Sequence, residues 1–572
     1  MSCTNLNILN SSNQLADIKS DGLNNSAIES NIDYLIITSE DFMHTLEPLA
    51  RWKTQKGVVS KIEIISDINQ QYSGGNLPEK IKNCIISYYN NNNTQWVLLA
   101  GDINHVPAKY VVCDEGYPYD GDVVCCDSYY GDIDNDWSQD DIDFEAEVYI
   151  GRLTANTKTE MSRLVQNILN YEKNPPIGGW MTHALFAGDI LQYDSDWNYD
   201  NMIDYEECDG NRFNNYINNT LLPNNWSSYF LAQNQGIKST DYYIDAKIGY
   251  ANLKNAINQG CSISNIIAHG REYSMSISEW VTDYDGDMLF DYTANPWEEG
   301  GTEIDEMIWN TLFETTMTDL KEKEKLGIYY FGSCSVGTFD YTQDCVAEYF
   351  LKNVAIGCIA GSYVVWGEDQ WYERIHGGWF TEGLGYRFWE HLFQYNQPGK
   401  ALALAKADYA SDRIISPEPF EYPEWGNKTL KQFNLLGDPE VPIWLSIPKQ
   451  LNVSIDKPFN NITNTMTLLI TADQNTVEGV LITYTENNKI LWKGETNENG
   501  TIEVPFSQLE IDDLVFTASK SGFLPFQANL PQNTDLGSIG GYDIFGISFT
   551  ILSFMCIASI YYKHSLSKKK TK

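Results

Sequence analysis

The chain has 572 residues, of which 42% are hydrophobic and 13% aromatic. That length allows two to four domains of roughly 100–200 residues each, and the apolar fraction excludes a disordered or collagen-like chain. With 38 Lys plus Arg against 78 Asp plus Glu, the formal net charge is −40, which excludes nucleic-acid binding through phosphate neutralisation and suits hard cations such as calcium.

In chain order, residues 1–32 are rich in Ser and Asn and read as a disordered N-terminal segment. They contain no apolar stretch of signal-peptide type. From Asp33 strands and helices alternate. Apolar runs at 33–38, 58–65, 95–101 and 147–152 have buried-strand length. Between them fall helices at 39–56, with Ser39 as cap, at 78–89, with Pro78 in the first turn, and at 158–171. This makes a first α/β subdomain over 33–178, ending at the Pro/Gly-rich break 173–179. A second spans 179–446, with strands at 184–188, 262–268, 327–333 and 354–361 and helices expected in the gaps. Apolar strands alternating with helices imply an open parallel sheet covered on both faces.

Residues 447–530 change texture to short alternating strands, such as 450–456 and 479–485, with a turn at Asn497-Glu-Asn-Gly500. That pattern predicts a small all-β, immunoglobulin-like sandwich. A linker at 531–543 leads to an apolar run at 544–562 whose interior is uncharged. About 20 residues at 1.5 Å rise span a bilayer core, so this reads as one transmembrane helix. The basic tail 563–572, with Lys563, Lys568, Lys569, Lys570 and Lys572, would stay cytoplasmic and leave the bulk of the chain outside the cell membrane.

Eleven cysteines show no CxxC pair, and the adjacent Cys125 and Cys126 lack the second pair a zinc site needs. One thiol stands apart by position. Strand 262–268 ends in His269-Gly270 and strand 327–333 ends in Cys334. In open α/β sheets ligands bind beyond the carboxyl ends of strands. Neighbouring strands would therefore place imidazole and thiol in one crevice, where the imidazole favours a thiolate ion pair. The backbone N–H groups of Gly270 and Cys334 would face a developing oxyanion. Cys334 follows His269 by 65 positions, which leaves room for a crossover unit.

With these residues the sequence resembles the gingipain family, the C25-type cysteine peptidases of the caspase-like clan. The matching stretches are Glu147-Val-Tyr-Ile-Gly-Arg152, Ile266-Ile-Ala-His-Gly270, Phe331-Gly-Ser-Cys-Ser-Val-Gly-Thr-Phe339 and Asn434-Leu-Leu-Gly-Asp-Pro439. The resemblance covers residues 33–445 and implies a caspase-like α/β fold, an immunoglobulin-like domain after it, and endopeptidase activity on protein or peptide substrates. It makes Cys334 the nucleophile and His269 the general acid/base. It makes Glu147 the acid that orients the histidine, and Trp366 an aromatic wall of the primary specificity pocket. Glu160, soon after the Gly-Arg pair, would be the acid that selects a basic P1 residue.

Three acidic stretches place oxygen ligands at alternate positions. In the first, Asp196, Asn198, Asp200, the carbonyl of Met202, Asp204 and Glu207 fall at positions 1, 3, 5, 7, 9 and 12 of an EF-hand-like loop. The second holds Asp132, Asp134 and Asp136, the third Asp283, Asp285 and Asp287. Structural Ca²⁺ is the cofactor they imply. The reading is a membrane-anchored, calcium-stabilised cysteine endopeptidase. The same residues leave open transpeptidation, in which an amine replaces water, and a cell-surface binding protein on an inactive scaffold.

Overall fold

The computed structural model describes residues 31–529 apart from 114–122, 135–136, 138–141, 197–201, 204–205, 284–285, 291–305, 318–319, 321–323, 368–377, 416–422, 461–462, 464, 487 and 506–513. The N-terminal segment to residue 30, the linker, the expected membrane helix 544–562 and the basic tail lie outside the described residues. Among the described residues no helix is long and apolar enough to cross a membrane.

One eleven-stranded sheet draws its strands from Tyr34 to Gly437. Its strands in chain order are β1 (Tyr34–Thr38), β2 (Ser60–Ile64), β3 (Trp96–Ala100), β4 (Tyr149–Leu153), β5 (His183–Gly188), β6 (Ser227–Ala232), β7 (Ala246–Lys247), β8 (Ile263–Ile267), β12 (Gly327–Gly332), β13 (Ala355–Gly361) and β14 (Phe433–Gly437). Side by side they run β7-β6-β5-β8-β12-β13-β14-β4-β3-β1-β2. Between β8 and β12 the chain builds a separate antiparallel sheet of β9 (His269–Arg271), β10 (Ser274–Trp280) and β11 (Met307–Glu314). Every residue of β1, β3, β8, β12, β13 and β14 is buried, as expected of strands covered on both faces.

The sheet crosses the 173–179 break, which continues into a short 3-10 turn at Gly179–Thr182. What joins the halves is β14, antiparallel to β13 through five residue pairs and bridged to β4 at Leu436 and Arg152. No strand was expected at 433–437, and the stretches expected to be helical contain β6, β10 and β11.

Helix boundaries follow local chemistry. Helix α1 (Met43–Gln55) starts later than Ser39, without a side-chain cap; Ser39 Oγ meets His105 Nδ1 at 2.9 Å instead. Helix α2 (Leu77–Asn92) has Asn76 as its N-cap and Pro in its first turn. Helix α3 (Lys158–Lys173) opens with a Thr157–Glu160 capping box. Later helices are α4 (Gly210–Thr220), α5 (Tyr250–Gln259), α6 (Val346–Asn353), α7 (Phe380–Tyr395), α8 (Pro398–Ile415) and α9 (Pro423–Gln432).

Residues 452–529 form two four-stranded antiparallel sheets around one apolar core that includes Leu468, Ile470, Ile482, Tyr484, Val504 and Phe516. Alternate residues of the Thr465–Ala472 strand are buried, the period-2 pattern of a sandwich face. In the 497–500 turn, Asn497 Oδ1 accepts the N–H groups of Asn499 and Thr501, and Gly500 takes φ +68°. This unit docks on the end of α1. The Gln55 carbonyl accepts Thr483 Oγ1, and the Lys56 carbonyl accepts Ser519 Oγ at 3.3 Å.

Under that contact lies a buried charge cluster. Lys53 Nζ sits 2.7 Å from Glu172 and 2.6 Å from both Asp438 and Glu440. Lys56 bridges Glu172 at 2.5 Å and Glu440 at 2.7 Å, and Tyr34 donates to Asp438 at 2.8 Å. Burial alone would pull the Lys53 ammonium down, but the three carboxylates hold it well above its usual range. Burial likewise opposes ionisation of Glu172, yet the two lysines bring it down to about 2. Removing the cation strands buried carboxylates, which costs about 3–5 kcal/mol in comparable cases. The substitution Lys53→Met should therefore lower the unfolding free energy by that order and bring the urea midpoint down, while Lys61→Met on the surface should leave both in place.

Candidate active site

The register of two parallel strands brings the chemistry together. In β8 and β12, Ile267 lies level with Gly332. His269 and Cys334 each follow that pair by two residues, so they leave the sheet at one height on strands about 4.8 Å apart. Their backbones pack directly. A Cβ on Gly270 would fall 2.5 Å from the Cys334 carbonyl oxygen and 3.0 Å from its nitrogen, so a residue without a side chain is required there. Beyond the thiol the chain turns through Ser335 at φ +57°, a left-handed conformation that costs energy outside glycine. Two bonds hold it: Ser335 N–H to the Tyr363 carbonyl at 2.8 Å, and Gly337 N–H to the Gly361 carbonyl at 2.9 Å.

The imidazole is oriented by backbone. His269 Nε2 lies 3.1 Å from the Leu191 carbonyl oxygen. A carbonyl only accepts, so Nε2 carries the hydrogen and Nδ1 of the neutral ring holds the lone pair. Burial pushes the imidazole down to about 4, against a weaker upward pull from the Leu191 carbonyl. The ring is thus an uncharged base at neutral pH. The Cys334 thiol donates to the Val365 carbonyl at 3.4 Å. This differs from the resting ion pair expected from sequence, because burial disfavours the imidazolium half. Trp309 closes one side of the ring, with centroids 4.7 Å apart and planes at 78°.

The supports are well defined. The 190–192 segment pairs with 208–209. Asp189, whose carboxyl burial pushes well up, accepts Ser278 N–H at 2.9 Å and ties this segment to β10, the partner of β9. Across the thiol, Trp366 is half-buried against the core, and its carbonyl accepts Thr381 N–H at 3.1 Å from the start of α7. Arg152 is buried and grips Asp127 with two bonds of 2.6 and 2.8 Å. Its guanidinium stacks 5.0 Å from the ring of Phe339, beneath the Cys334 turn.

His269, Gly270, Cys334 and Trp366 are therefore brought together. Glu147 is not a partner of His269. It stands before β4, accepts Ile133 N–H at 2.8 Å, and shares a cluster with Asp132 and Asp134 whose carboxylate oxygens lie within 4.8 Å of one another. The orienting role falls to the Leu191 carbonyl. Glu160 is also spoken for, accepting the N–H groups of Asn156 at 2.8 Å and Thr157 at 3.1 Å as a helix cap. Sequence reasoning missed Leu191, Asp189 and Trp309. Asp189 follows a predicted strand directly, which was a usable signal; a backbone carbonyl has none.

Of the first acidic stretch, Asn198, Asp200 and Asp204 lie outside the described residues. Asp196 is buried and Met202 is exposed. Glu207, expected at position 12, faces Lys238 at 3.3 Å and Arg212 at 3.6 Å. Asp136 and Asp285 also lie outside. In the third stretch Asp283 accepts the N–H groups of Gly286 at 2.7 Å and Met288 at 3.2 Å, and Asp287 that of Leu289 at 2.8 Å. A bridge between Ser195 and Phe290 sets the first and third stretches side by side.

An open α/β sheet with histidine and cysteine at the ends of adjacent central strands defines a thiol–imidazole site. The model of peptidase family C25 matches residues 27–444, and the chain belongs to that family. It is 20% identical over 443 residues to Gingipain R2 of Porphyromonas gingivalis, covering 77% of this chain and 50% of that protein. It is 24% identical over 350 residues to Lys-gingipain of the same organism, covering 59% and 16%. The chain spans half or less of the length of these curated relatives. The crystal structure of the Arg-specific cysteine proteinase gingipain R superposes with a TM-score of 0.62 at 16% identity, over 87% of this chain and 97% of that one. At that identity the likeness speaks to fold.

Two outcomes follow from the geometry. Gly270→Ala pushes a methyl group into the Cys334 backbone, and misplacement of about 1 Å at a reacting centre costs on the order of 10²-fold in rate; peptide turnover should fall by that factor. In NMR titration His269 should take up its proton near pH 4 rather than at its ordinary 6.5. The unfolded chain binds that proton first, so His269 stabilises the fold above 6.5, and this contribution fades as pH falls from 6.5 toward 4.

Proposed function

We propose that this chain is a cysteine endopeptidase in which Cys334 is the nucleophile and His269 the general base and acid. The observation that carries it is the β8–β12 register, which lays the His-Gly backbone against the Cys334 backbone. The thiol turns from Val365 and gives its proton to His269 Nδ1 as sulfur attacks the peptide carbonyl carbon. The Gly270 and Cys334 N–H groups receive the oxyanion. The C–N bond breaks, and the Nδ1 proton passes to the leaving amine. Water then gives a proton to Nδ1 and attacks the thioester; the C–S bond breaks and the thiol regains its proton.

The finer features belong to the same reading. Trp366 walls the primary pocket. A basic P1 residue is favoured by steering toward a chain of net charge −40, as in relatives named for Arg and Lys, with no part for Glu160. Asp132, Asp134 and Glu147 would hold calcium, since three carboxylates within 4.8 Å are a hard-oxygen donor set; the ion would tie the 132–134 loop to the start of β4. The 544–562 segment would anchor the chain in the cell membrane with the peptidase outside, and residues 447–530 would be an immunoglobulin-like spacer.

Peptidyl chloromethyl ketones with P1 Arg, Lys, Asp or Asn test the proposal. Wild type should be labelled and Cys334→Ala should not, with Arg or Lys probes reacting fastest and chelator slowing the reaction. A folded wild type that no probe labels would remove the peptidase reading.

A further inference from the structure

An endopeptidase must hold its substrate on both sides of the scissile bond. The acyl half meets the thiol, and the amine half leaves past the imidazole that protonates it. In this chain the thiol meets the Val365 carbonyl, and Trp366 follows next in the chain. The imidazole side is walled by Trp309.

The placement of Trp309 follows from register. His269 on β9 lies level with Ser276 of β10. Trp309 on β11 lies level with Ser278 of β10. Residues two apart on a strand share a face, so the indole reaches back across β10 onto the face that carries the imidazole. The rings meet edge to face at 4.7 Å. Yet the tryptophan is 58% exposed, a poor use of the largest apolar side chain if its sole task were packing. The exposed part adjoins the imidazole that, on the endopeptidase reading, protonates the leaving amine.

We propose that Trp309 forms the first subsite on the leaving-group side and selects an apolar P1′ residue; this rests on the endopeptidase reading. A leucine or phenylalanine following the scissile bond covers the indole and displaces water from both. Glycine covers nothing. One such side chain in a hydrophobic subsite is worth about tenfold or more in kcat/KM.

The test uses the full chain and internally quenched peptides that share the P1 residue found by labelling and carry Gly, Ser, Leu or Phe at P1′. Wild type should prefer Leu and Phe over Gly by about tenfold. Trp309→Ala should bring that ratio to within about twofold, and Trp309→Phe should keep most of it. A chloromethyl ketone has no residue beyond P1, so its labelling rate reads Cys334 and His269 alone, and each variant's P1′ ratio is compared after its peptide rates are scaled to that labelling rate. An unchanged P1′ ratio in Trp309→Ala, or a wild type without P1′ preference, overturns the subsite. So does a loss of labelling that parallels the loss on every peptide, because Trp309 would then act through His269 alone. A wild type that is neither labelled nor active on any peptide overturns the peptidase reading beneath it.

Discussion

Lys53 has no exposed surface, and three carboxylates from segments more than a hundred residues away close on its ammonium. One of them, Glu172, ends α3; the other two, Asp438 and Glu440, follow β14 immediately. The cluster therefore pins the end of β14 to α1, and β14 is the strand that joins the two halves of the sheet. Asn434 works from the other end of the same strand, accepting Asp127 N–H and donating to the Cys125 carbonyl, at 2.8 and 2.9 Å. An isolated charge buried this deeply would be expelled or neutralised; the network keeps it by satisfying it from several sides. The beginning and end of the α/β unit are thus held as one body, and the sandwich docks against the same helix end.

That constraint reaches the reactive centre through β13. With β14 in place on one side and β12 on the other, the carboxyl end of β13 delivers Val365 and Trp366 next to Cys334. The other wall comes from β9, β10 and β11, tied to the main sheet through Asp189. Two rigid walls converge on a turn held in a left-handed conformation. The imidazole between them is dry enough to lose its charge, so the proposed base is kept neutral by burial and aimed by a carbonyl dipole rather than by a carboxylate.

Among the described residues, the groups that meet the His269 ring are a carbonyl and an indole, not a carboxylate. The carboxylates enclose Lys53, cap helices, hold loops through backbone N–H groups, or cluster before β4. Glu147 and Glu160 illustrate the difference between the right residue type and the right place: each is engaged by the backbone of its own loop or helix end.

Much of this was written in the chain itself. Continuous apolar runs marked the central strands, because strands covered on both faces need no alternation. Polar residues ending two of those runs marked His269 and Cys334, and alternation after residue 447 marked the sandwich. Even β10, Ser-Met-Ser-Ile-Ser-Glu-Trp, carries a legible period of two. Other features had no local signature. Phe433–Gly437 is a five-residue apolar stretch whose insertion between β13 and β4 depends on partners far away in the chain. The acceptor for His269 is a backbone carbonyl, a group every residue carries, so only its position distinguishes Leu191. Trp309 lies 40 residues beyond His269, and strand pairing across β10 alone makes them neighbours. Residue type and local period determine which segments become strands and which groups can react. Which of those groups meet is decided by register between segments distant in sequence, a long-range property that no local pattern encodes.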